Sequence, residues 1–308
     1  MRAEDFLENI SSDTTLIFHN DGDGVCCAEM VYSYLRSKGI AVRLFCGDLE
    51  KRTFDRVDFS EYIVIVDLAI DQYPEYYERF VGKNVLVIDH HPMKRDLNEI
   101  GFIHINPRSE KPNHYVSASE VCFDILSKIS KPKEWVMRVG GVSDASIKGD
   151  EKETEASKMI AAINAVLKSS YLPELVEFLA DCNSIDEFIT NNHYLKTAEE
   201  FQSEVKKVLN EFEEQKHGDP IFFKVDTKYP MKAVIANILF EKYPNNTIFV
   251  YREYDGVYKV SARSHRINLN DIVKKASAGI GQGGGHPKAA AASVTDFELF
   301  RKRILELV

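Results

Sequence analysis

No apolar run in this 308-residue chain approaches the ~20 residues of a membrane span, which excludes a spanning helix at the level of sequence. A disulfide framework and a zinc ribbon are excluded as well. The five cysteines (Cys26, Cys27, Cys46, Cys122, Cys182) are odd in number, form no CxxC pair and sit mostly in apolar stretches that suit reduced, packed thiols. Also missing is a surplus of positive charge: a net charge of −9 argues against coating long nucleic acid by charge alone. There is no internal repeat and no low-complexity tract. The opening MRAEDFLENISSD is acidic and amphipathic, unlike a signal or transit peptide, so a cytoplasmic protein with no membrane partner is expected.

What is present is a composition normal for a globular protein, 44% hydrophobic, in a chain long for one core and comfortable for two domains. Its charge is uneven. From Gly218 onward 14 lysines and arginines face 9 acids, net +5, so the remainder carries −14. Ordinary solvated faces would give such a split; so would one end that holds phosphate and another that holds cations.

Strand candidates in the first half are TLIFH, AVRLFC, YIVIVDLA, NVLVIDHH and GFIHIN. YIVIV and NVLVI are apolar without alternation, as strands buried on both faces of a parallel sheet are. Helical spacing over 25–37 and 73–80 makes the order βαβ, an open α/β sheet with ligands expected beyond the carboxyl ends of its strands. After Ser117 the pattern turns helical, and 191–219 reads as a long charged helix ending at Gly218, a connector more than a core element. Beyond it IFFKV, NTIFVYRE and VYKVSARS are strands, with helices at 232–242 and 268–276. The predicted organisation is a parallel-sheet domain over 1–192, a helical connector over 193–218 and a smaller α/β domain over 219–308, with the active site in the cleft between the two domains.

Four loops carry acids or histidines: His19, Asp21 and Asp23 in FHNDGDGV; Asp67 after YIVIV; Asp89, His90 and His91 after NVLVI; and Asp144 in GGVSDAS. Taken singly each has a plain explanation. DGDG is a common polar turn, Asp67 could cap a helix, a histidine pair could be an ordinary loop, and Asp144 after two glycines could be a turn residue. Together, three of them stand where apolar strands end, so in a parallel sheet their side chains crowd one edge. Carboxylates that close repel unless divalent cations separate them. Mixed carboxylate and imidazole donors suit Mn²⁺, with Mg²⁺ next. A metal pair roughly 3.5–4 Å apart would activate water for in-line attack on phosphorus.

Rival explanations of FHNDGDGV fare worse. A calcium loop starting at Asp21 would need an oxygen ligand where Val25 stands. A phosphatase using Asp21 as nucleophile gives no role to His19 or to VIDHH. In the second domain, Gly283, Gly284 and Gly285 let the backbone approach a phosphate and aim N–H groups at it, and Arg263 and His286 can add charge-assisted hydrogen bonds. A glycine run alone is usually a flexible loop; this one leads directly into His286, Pro287 and an alanine run.

These residues resemble the DHH phosphoesterases with a DHH-associated C-terminal domain. The likeness runs through His19-Asn20-Asp21-Gly22-Asp23-Gly24, Asp67, the Asp89-His90-His91 triplet, Asp144 and the Gly283-to-His286 signature. It implies a two-metal site in which His19 and Asp21 hold one cation, Asp23, His90 and Asp144 the other, and Asp67 bridges. It also implies that His91 touches the scissile phosphate, Asp89 orients an imidazole, and Arg263 and His286 grip the substrate's phosphate or terminal nucleotide. The HxDxDG form of the first motif resembles the archaeal RecJ-like branch, and Ala291 stands where the family usually has glycine. The function implied is a metal-dependent phosphodiesterase acting on single-stranded DNA or RNA or on short oligonucleotides, with DNA replication and repair proteins as partners. A cyclic dinucleotide phosphodiesterase acting on cyclic di-AMP or pApA is the alternative. A catalytically idle replication scaffold would not need the full ligand set, and the resembling pyrophosphatases lack GGGH.

Overall fold

Short β-branched runs in the first half pair side by side, and the loops that leave their carboxyl ends carry the acids and histidines. In the computed structural model, which describes residues 2–47, 58–111, 115–215 and 218–308, the chain divides into two units, Met1–Glu199 and Glu200–Val308.

The first unit runs α1 (Ala3–Asn9), β1 (Thr14–His19), α2 (Gly22–Ser37), β2 (Val42–Gly47), β3 (Tyr62–Val66), α3 (Pro74–Tyr77), β4 (Asn84–Ile88) and β5 (Ile103–Ile105). Helices α4 (Ala118–Leu126), α5 (Glu134–Ser143), α6 (Glu151–Leu167), α7 (Leu172–Asp181) and α8 (Ile185–Ile189) follow, and α9 (Asn192–Glu213) straddles the division. All strand pairs in the sheet are parallel, in the order β2-β1-β3-β4-β5. Ile17, Ile65 and Val87 share one row and, with Ile63 and Val85, pack against Tyr76, Tyr77, Phe80, Leu97 and Phe102. Their neighbours Leu16, Phe18, Val64, Val66, Leu86 and Ile88 are fully buried on the opposite face. Burial on both faces is why these runs show no alternation.

The order reverses at β1, with β2 on one side and β3 on the other. Loops leaving β1 and β3 therefore diverge and open a crevice at their carboxyl ends, where ligands bind in sheets of this kind. The predicted strands are all present, and α2 starts three residues earlier than its apolar spacing suggests. The helix predicted over 73–80 is split: Pro74 opens α3, and 78–80 tightens into a 3₁₀ turn.

Helix α9 is more than a charged connector. Tyr194, Ala198, Phe201, Val208 and Phe212 are buried in a stripe at three- to four-residue intervals and their multiples. The predicted connector residues Lys216 and His217 lie outside the described residues.

The second unit contains β6 (Ile221–Lys224), α10 (Lys232–Lys242), β7 (Ile248–Tyr254), β8 (Val257–Arg263), α11 (Leu269–Ser277), β9 (Gly281–Gly285), β10 (Ala289–Val294) and α12 (Phe297–Leu307). Its sheet runs β6-β7-β8-β10-β9, antiparallel except for β6 with β7. Phe249, Val260, Ala262, Ala290, Ala292 and Val294 form one face, buried with Val273 of α11 and Phe300 and Ile304 of α12. The glycine run, a composition usually found in flexible loops, is the edge strand β9. A side chain on Gly285, at φ +147°, would lie 2.6 Å from the Ala289 carbonyl oxygen, so the turn into β10 requires glycine there.

Candidate metal centre

Strand β1 ends at His19 and α2 begins at Gly22, with Asp21 as its cap: the Gly24 N–H donates to Asp21 Oδ1 at 2.9 Å. Gly24 is required by close approach, because a Cβ there would meet the His19 carbonyl oxygen at 2.4 Å. Asp23, in the first turn of α2, points into the protein and is 1% exposed. Its oxygens accept the N–H groups of Ala118 (2.7 Å) and Ser119 (2.9 Å) at the start of α4. The positive end of that helix thus faces the carboxylate.

Asp67 follows β3 in a left-handed conformation, φ +57°, with its N–H donating to the Ile88 carbonyl at 2.9 Å. A non-glycine residue in that region is strained and is often found at functional sites. Its side chain is 1% exposed, yet neither carboxylate oxygen has a hydrogen-bond partner. Buried polar atoms are nearly always satisfied, so a pair of bare oxygens points to a ligand.

The triplet after β4 closes around Asp67. His90 Nε2 lies 3.3 Å from Asp67 Oδ1 and 4.0 Å from Asp23 Oδ2, and its Nδ1 lies 3.6 Å from Asp144 Oδ2. His91 Nδ1 pairs with Asp89 Oδ1 at 2.8 Å and stands 3.9 Å from Asp67 Oδ1. His19 Nδ1 is 2.9 Å from Asp21 Oδ2 and 3.6 Å from Asp67 Oδ2 without a hydrogen bond to either. Three groups result, each with ligand atoms within 4.8 Å of one another: His19, Asp21 and Asp67; Asp67, His90 and His91; Asp23, His90 and Asp144. All seven residues belong to the first unit, and Asp67 is shared by two of the groups.

The electrostatics agree with a cation site. Burial, with repulsion from Asp67 and Asp21, pushes the Asp23 carboxyl well above the ordinary range. Burial and Asp21 push Asp67 up, and burial does the same to Asp144. Burial opposes a charge on His90, but the Asp67, Asp144 and Asp23 carboxylates outweigh it and raise the imidazole to about 9. Crowding thus raises Asp23, Asp67, Asp144 and His90 while the neighbouring histidines hold Asp21 and Asp89 down, and divalent cations are what displace protons from carboxylate and imidazole donors. The residues present fit a divalent-cation site: bare buried oxygens, a free His90 Nδ1, and a mixed O/N donor set.

Several supporting groups carried no signal strong enough to be read from the sequence. Tyr115 Oη lies 2.9 Å from Asp144 Oδ2 and 2.6 Å from the Asp144 carbonyl, fixing that loop. Arg108 Nε donates to the His90 carbonyl at 2.7 Å, and Asn106 Nδ2 to that of His91 at 3.0 Å. The Asn106-Pro107-Arg108 run directly after a strand was the available hint, since asparagine before proline often sets a turn.

In the second unit, Arg263 Nε donates to Asn237 Oδ1 of α10 at 2.6 Å and Nη1 to the Ala262 carbonyl at 2.8 Å. Gly283 and Gly284 pair with Ala292 and Ala291 of β10, and the Gly285 N–H donates to Asn270 Oδ1 at 3.0 Å. Backbone groups expected to aim freely at a phosphate are thus partly engaged. Strand β9 is the edge of its sheet, and His286 is exposed beside it.

An α/β sheet with a buried acid and histidine cluster at its switch point defines a candidate divalent-cation site. Residues 14–163 match the model of the DHH family N-terminal domain, and residues 218–308 match that of the DHHA1 domain. The two matches together span most of the chain, which therefore combines a DHH family N-terminal domain with a DHHA1 domain in a fold related to that of RecJ. The structure of RecJ with Mn²⁺ from Thermus thermophilus superposes with a TM-score of 0.76 at 17% identity, over 99% of this chain and 54% of that one. This chain thus spans about half the length of that relative. An exonuclease RecJ bound to manganese gives 0.65 at 16% identity over 99% and 93% of the two chains. The pGpG-specific phosphodiesterase from Vibrio cholerae gives 0.59 at 17% identity over 96% and 99%. No curated protein matches the chain by sequence. Among the described residues, no helix is long and apolar enough to cross a membrane.

Proposed function

We propose that the chain is a two-metal phosphodiesterase that hydrolyses single-stranded DNA or RNA, or short oligonucleotides, to mononucleotides, as a member of the archaeal RecJ-like branch. The observation that carries this reading is Asp67, a buried carboxylate with two bare oxygens, one 3.6 Å from His19 Nδ1 and the other 3.3 Å from His90 Nε2. That position suits a bridge, with His19 and Asp21 on one side and Asp23, His90 and Asp144 on the other. Two divalent cations held there, Mn²⁺ before Mg²⁺, would supply Lewis-acid activation of water and balance the charge on the phosphate.

The chain's own groups do the rest. A carboxylate offers about four lone-pair sites, so Asp23 keeps two free after accepting from Ala118 and Ser119 and is held rigidly by those bonds. His91 is 37% exposed at its side chain and can reach a scissile phosphate, while Asp89 fixes its ring through Nδ1. Arg263, His286 and the strand Gly283 to Gly285 hold a terminal phosphate or nucleotide. Proteins of DNA replication and repair are the partners of this reading.

A dinucleotide substrate, cyclic di-AMP or pApA, is the second reading. The pGpG-specific phosphodiesterase, matched over 99% of its length, supports it, and an exonuclease RecJ matched over 93% of its length supports the first. Product analysis decides between the two. The purified chain is given 5′-labelled and 3′-labelled single strands, pApA and cyclic di-AMP with Mn²⁺, Mg²⁺ or chelator. Mononucleotide release from strands, lost in chelator, is expected; a preference for cyclic dinucleotide over every linear substrate would overturn the first reading.

A further inference from the structure

The second unit carries like charges that no carboxylate pairs among the described residues. Arg252 of β7 and Lys259 of β8 stand directly opposite each other in an antiparallel ladder, with side chains on one face. Like charges in that position destabilise a sheet. Lys232 opens α10, which packs on β7 and β8 and reaches Arg263 through Asn237 on the face that carries Arg252 and Lys259; burial, then Lys259 and Arg252, push its ammonium down. Among the described residues none of the three meets a carboxylate. Other cations of the unit do pair, Lys224 with Glu253, Lys228 with Glu200 and Arg266 with Asp219, so what sets these three apart is their closeness to one another.

Their surroundings are built to admit something flat and extended. Arg263 lies four residues along β8 from Lys259 on the same face, about 13 Å away at ~3.3 Å per residue. Next to that row, on β10, stand only Ala289, Ala291 and Ser293, paired with Arg263, Ser261 and Lys259. These small side chains are partly or fully exposed and leave the face open on the β10 side, while Ser261, between Arg263 and Lys259, is buried where α10 packs. Arg263 itself is fixed by Asn237 of α10, so α10 borders the row.

We propose that Lys232, Arg252 and Lys259 form a second phosphate subsite, which takes an internal phosphate of a single strand whose terminal group is held at Arg263 and β9. The inference rests on the proposed function and adds to it a length preference. A strand long enough to reach from Arg263 to Lys259 meets cations that a dinucleotide does not span.

The test measures binding in Mn²⁺ of phosphorothioate-linked single strands, which resist cleavage: a 5′-phosphorylated dinucleotide and a strand of about 12 nucleotides. Wild type is compared with the triple variant Lys232→Gln, Arg252→Gln, Lys259→Gln, and with Lys259→Gln alone, whose exposed side chain makes it safe for folding. The longer strand is expected to bind the triple variant roughly tenfold more weakly, with the salt slope reduced by about 0.7 for each phosphate no longer neutralised. Dinucleotide affinity is expected to hold. The triple variant is also expected to melt no lower than wild type, because repulsion has been removed. Equal affinity and equal salt slope for the longer strand would overturn the subsite, as would preferential binding of inorganic polyphosphate. A wild-type protein that binds the strand through these residues but cleaves no phosphodiester would overturn the proposed function and support the subsite.

Discussion

Each unit gathers charges of one sign, and the two gatherings differ in what surrounds them. In the first, Asp23 and Asp67 are 1% exposed, and Asp67 makes no hydrogen bond through its carboxylate. In the second, Arg252 is half-buried and Lys259 exposed, on a sheet face that α10 covers in part. Charges in a protein interior act strongly over short distances, while exposed charges are screened within about 8–10 Å at physiological salt. The buried acids therefore demand small cations at fixed places and should respond to metal and to single substitutions. The open cations tolerate an extended polyanion and should respond to salt.

Asp67→Ala is the sharpest attempt to break that contrast. Loss of a central group in a catalytic constellation costs about 10³-fold or more in kcat, about 4 kcal/mol of transition-state stabilisation. The same substitution should leave the binding of a single strand to the second unit, and its salt slope, unchanged. Hydrolysis that survives in Asp67→Ala while metal stays bound would show that the site has been assigned to the wrong residues.

Metal addition comes next in size. At Mn²⁺ concentrations of 100 times Kd, a ligand that binds only the folded state stabilises it by about 2.7 kcal/mol. For a domain of this length that is roughly 5–10 °C in melting temperature. The shift should appear in wild type, vanish in chelator and be absent in Asp67→Ala. A melting curve that Mn²⁺ leaves unmoved would remove the cation from the first unit, and with it the difference between the two clusters.

How much of this was legible from residues alone follows the same division. Strands β1, β3 and β4 and the acids and histidines that gather at their ends could be read, because uninterrupted apolar runs that stop in acids are local patterns. The partners that fix those ligands could not. The amides of Ala118 and Ser119 reach Asp23 across 95 and 96 residues, and Tyr115 reaches Asp144 across 29. In the second unit, the convergence of Lys232, Arg252 and Lys259 depends on the register of one hairpin and the placement of α10. Strand β9 was hidden for a different reason: glycine has low strand propensity, and only a neighbour as tightly placed as β10 makes it one.

Tyr115→Phe probes one of those non-local supports. It removes the hydroxyl that holds Asp144 but keeps the ring beside His90, whose centroid is 6.1 Å away. Groups that orient metal ligands are typically worth 10–100-fold in metal affinity or activity. The expected result is a higher Mn²⁺ concentration for half-maximal occupancy, measured directly by electron paramagnetic resonance. Unchanged occupancy would mean that Asp144 needs no such support.

The smallest effect belongs to charges of the ordinary kind, those the chain pairs internally. Glu153 at the start of α6 accepts both arms of the Arg138 guanidinium, and that hydrogen bonding holds its carboxyl below the usual value of 4.5. A carboxyl lowered in the folded state contributes stability above its unfolded value and loses it as the pH falls through the folded one. Arg138 is 37% exposed at its side chain, so solvent screening limits the gain to under about 1 kcal/mol. Chemical denaturation of wild type and Glu153→Gln between about pH 6 and pH 3 reads this difference. Glutamine keeps an acceptor for the α6 cap, where the Asp150 N–H reaches Glu153 Oε2 at 2.9 Å, so the cap is not the variable. Wild type should lose more stability than the variant on acidification. Parallel slopes would mean that this pair contributes nothing pH-linked, and would leave the two unbalanced clusters as the places where charge matters in this molecule.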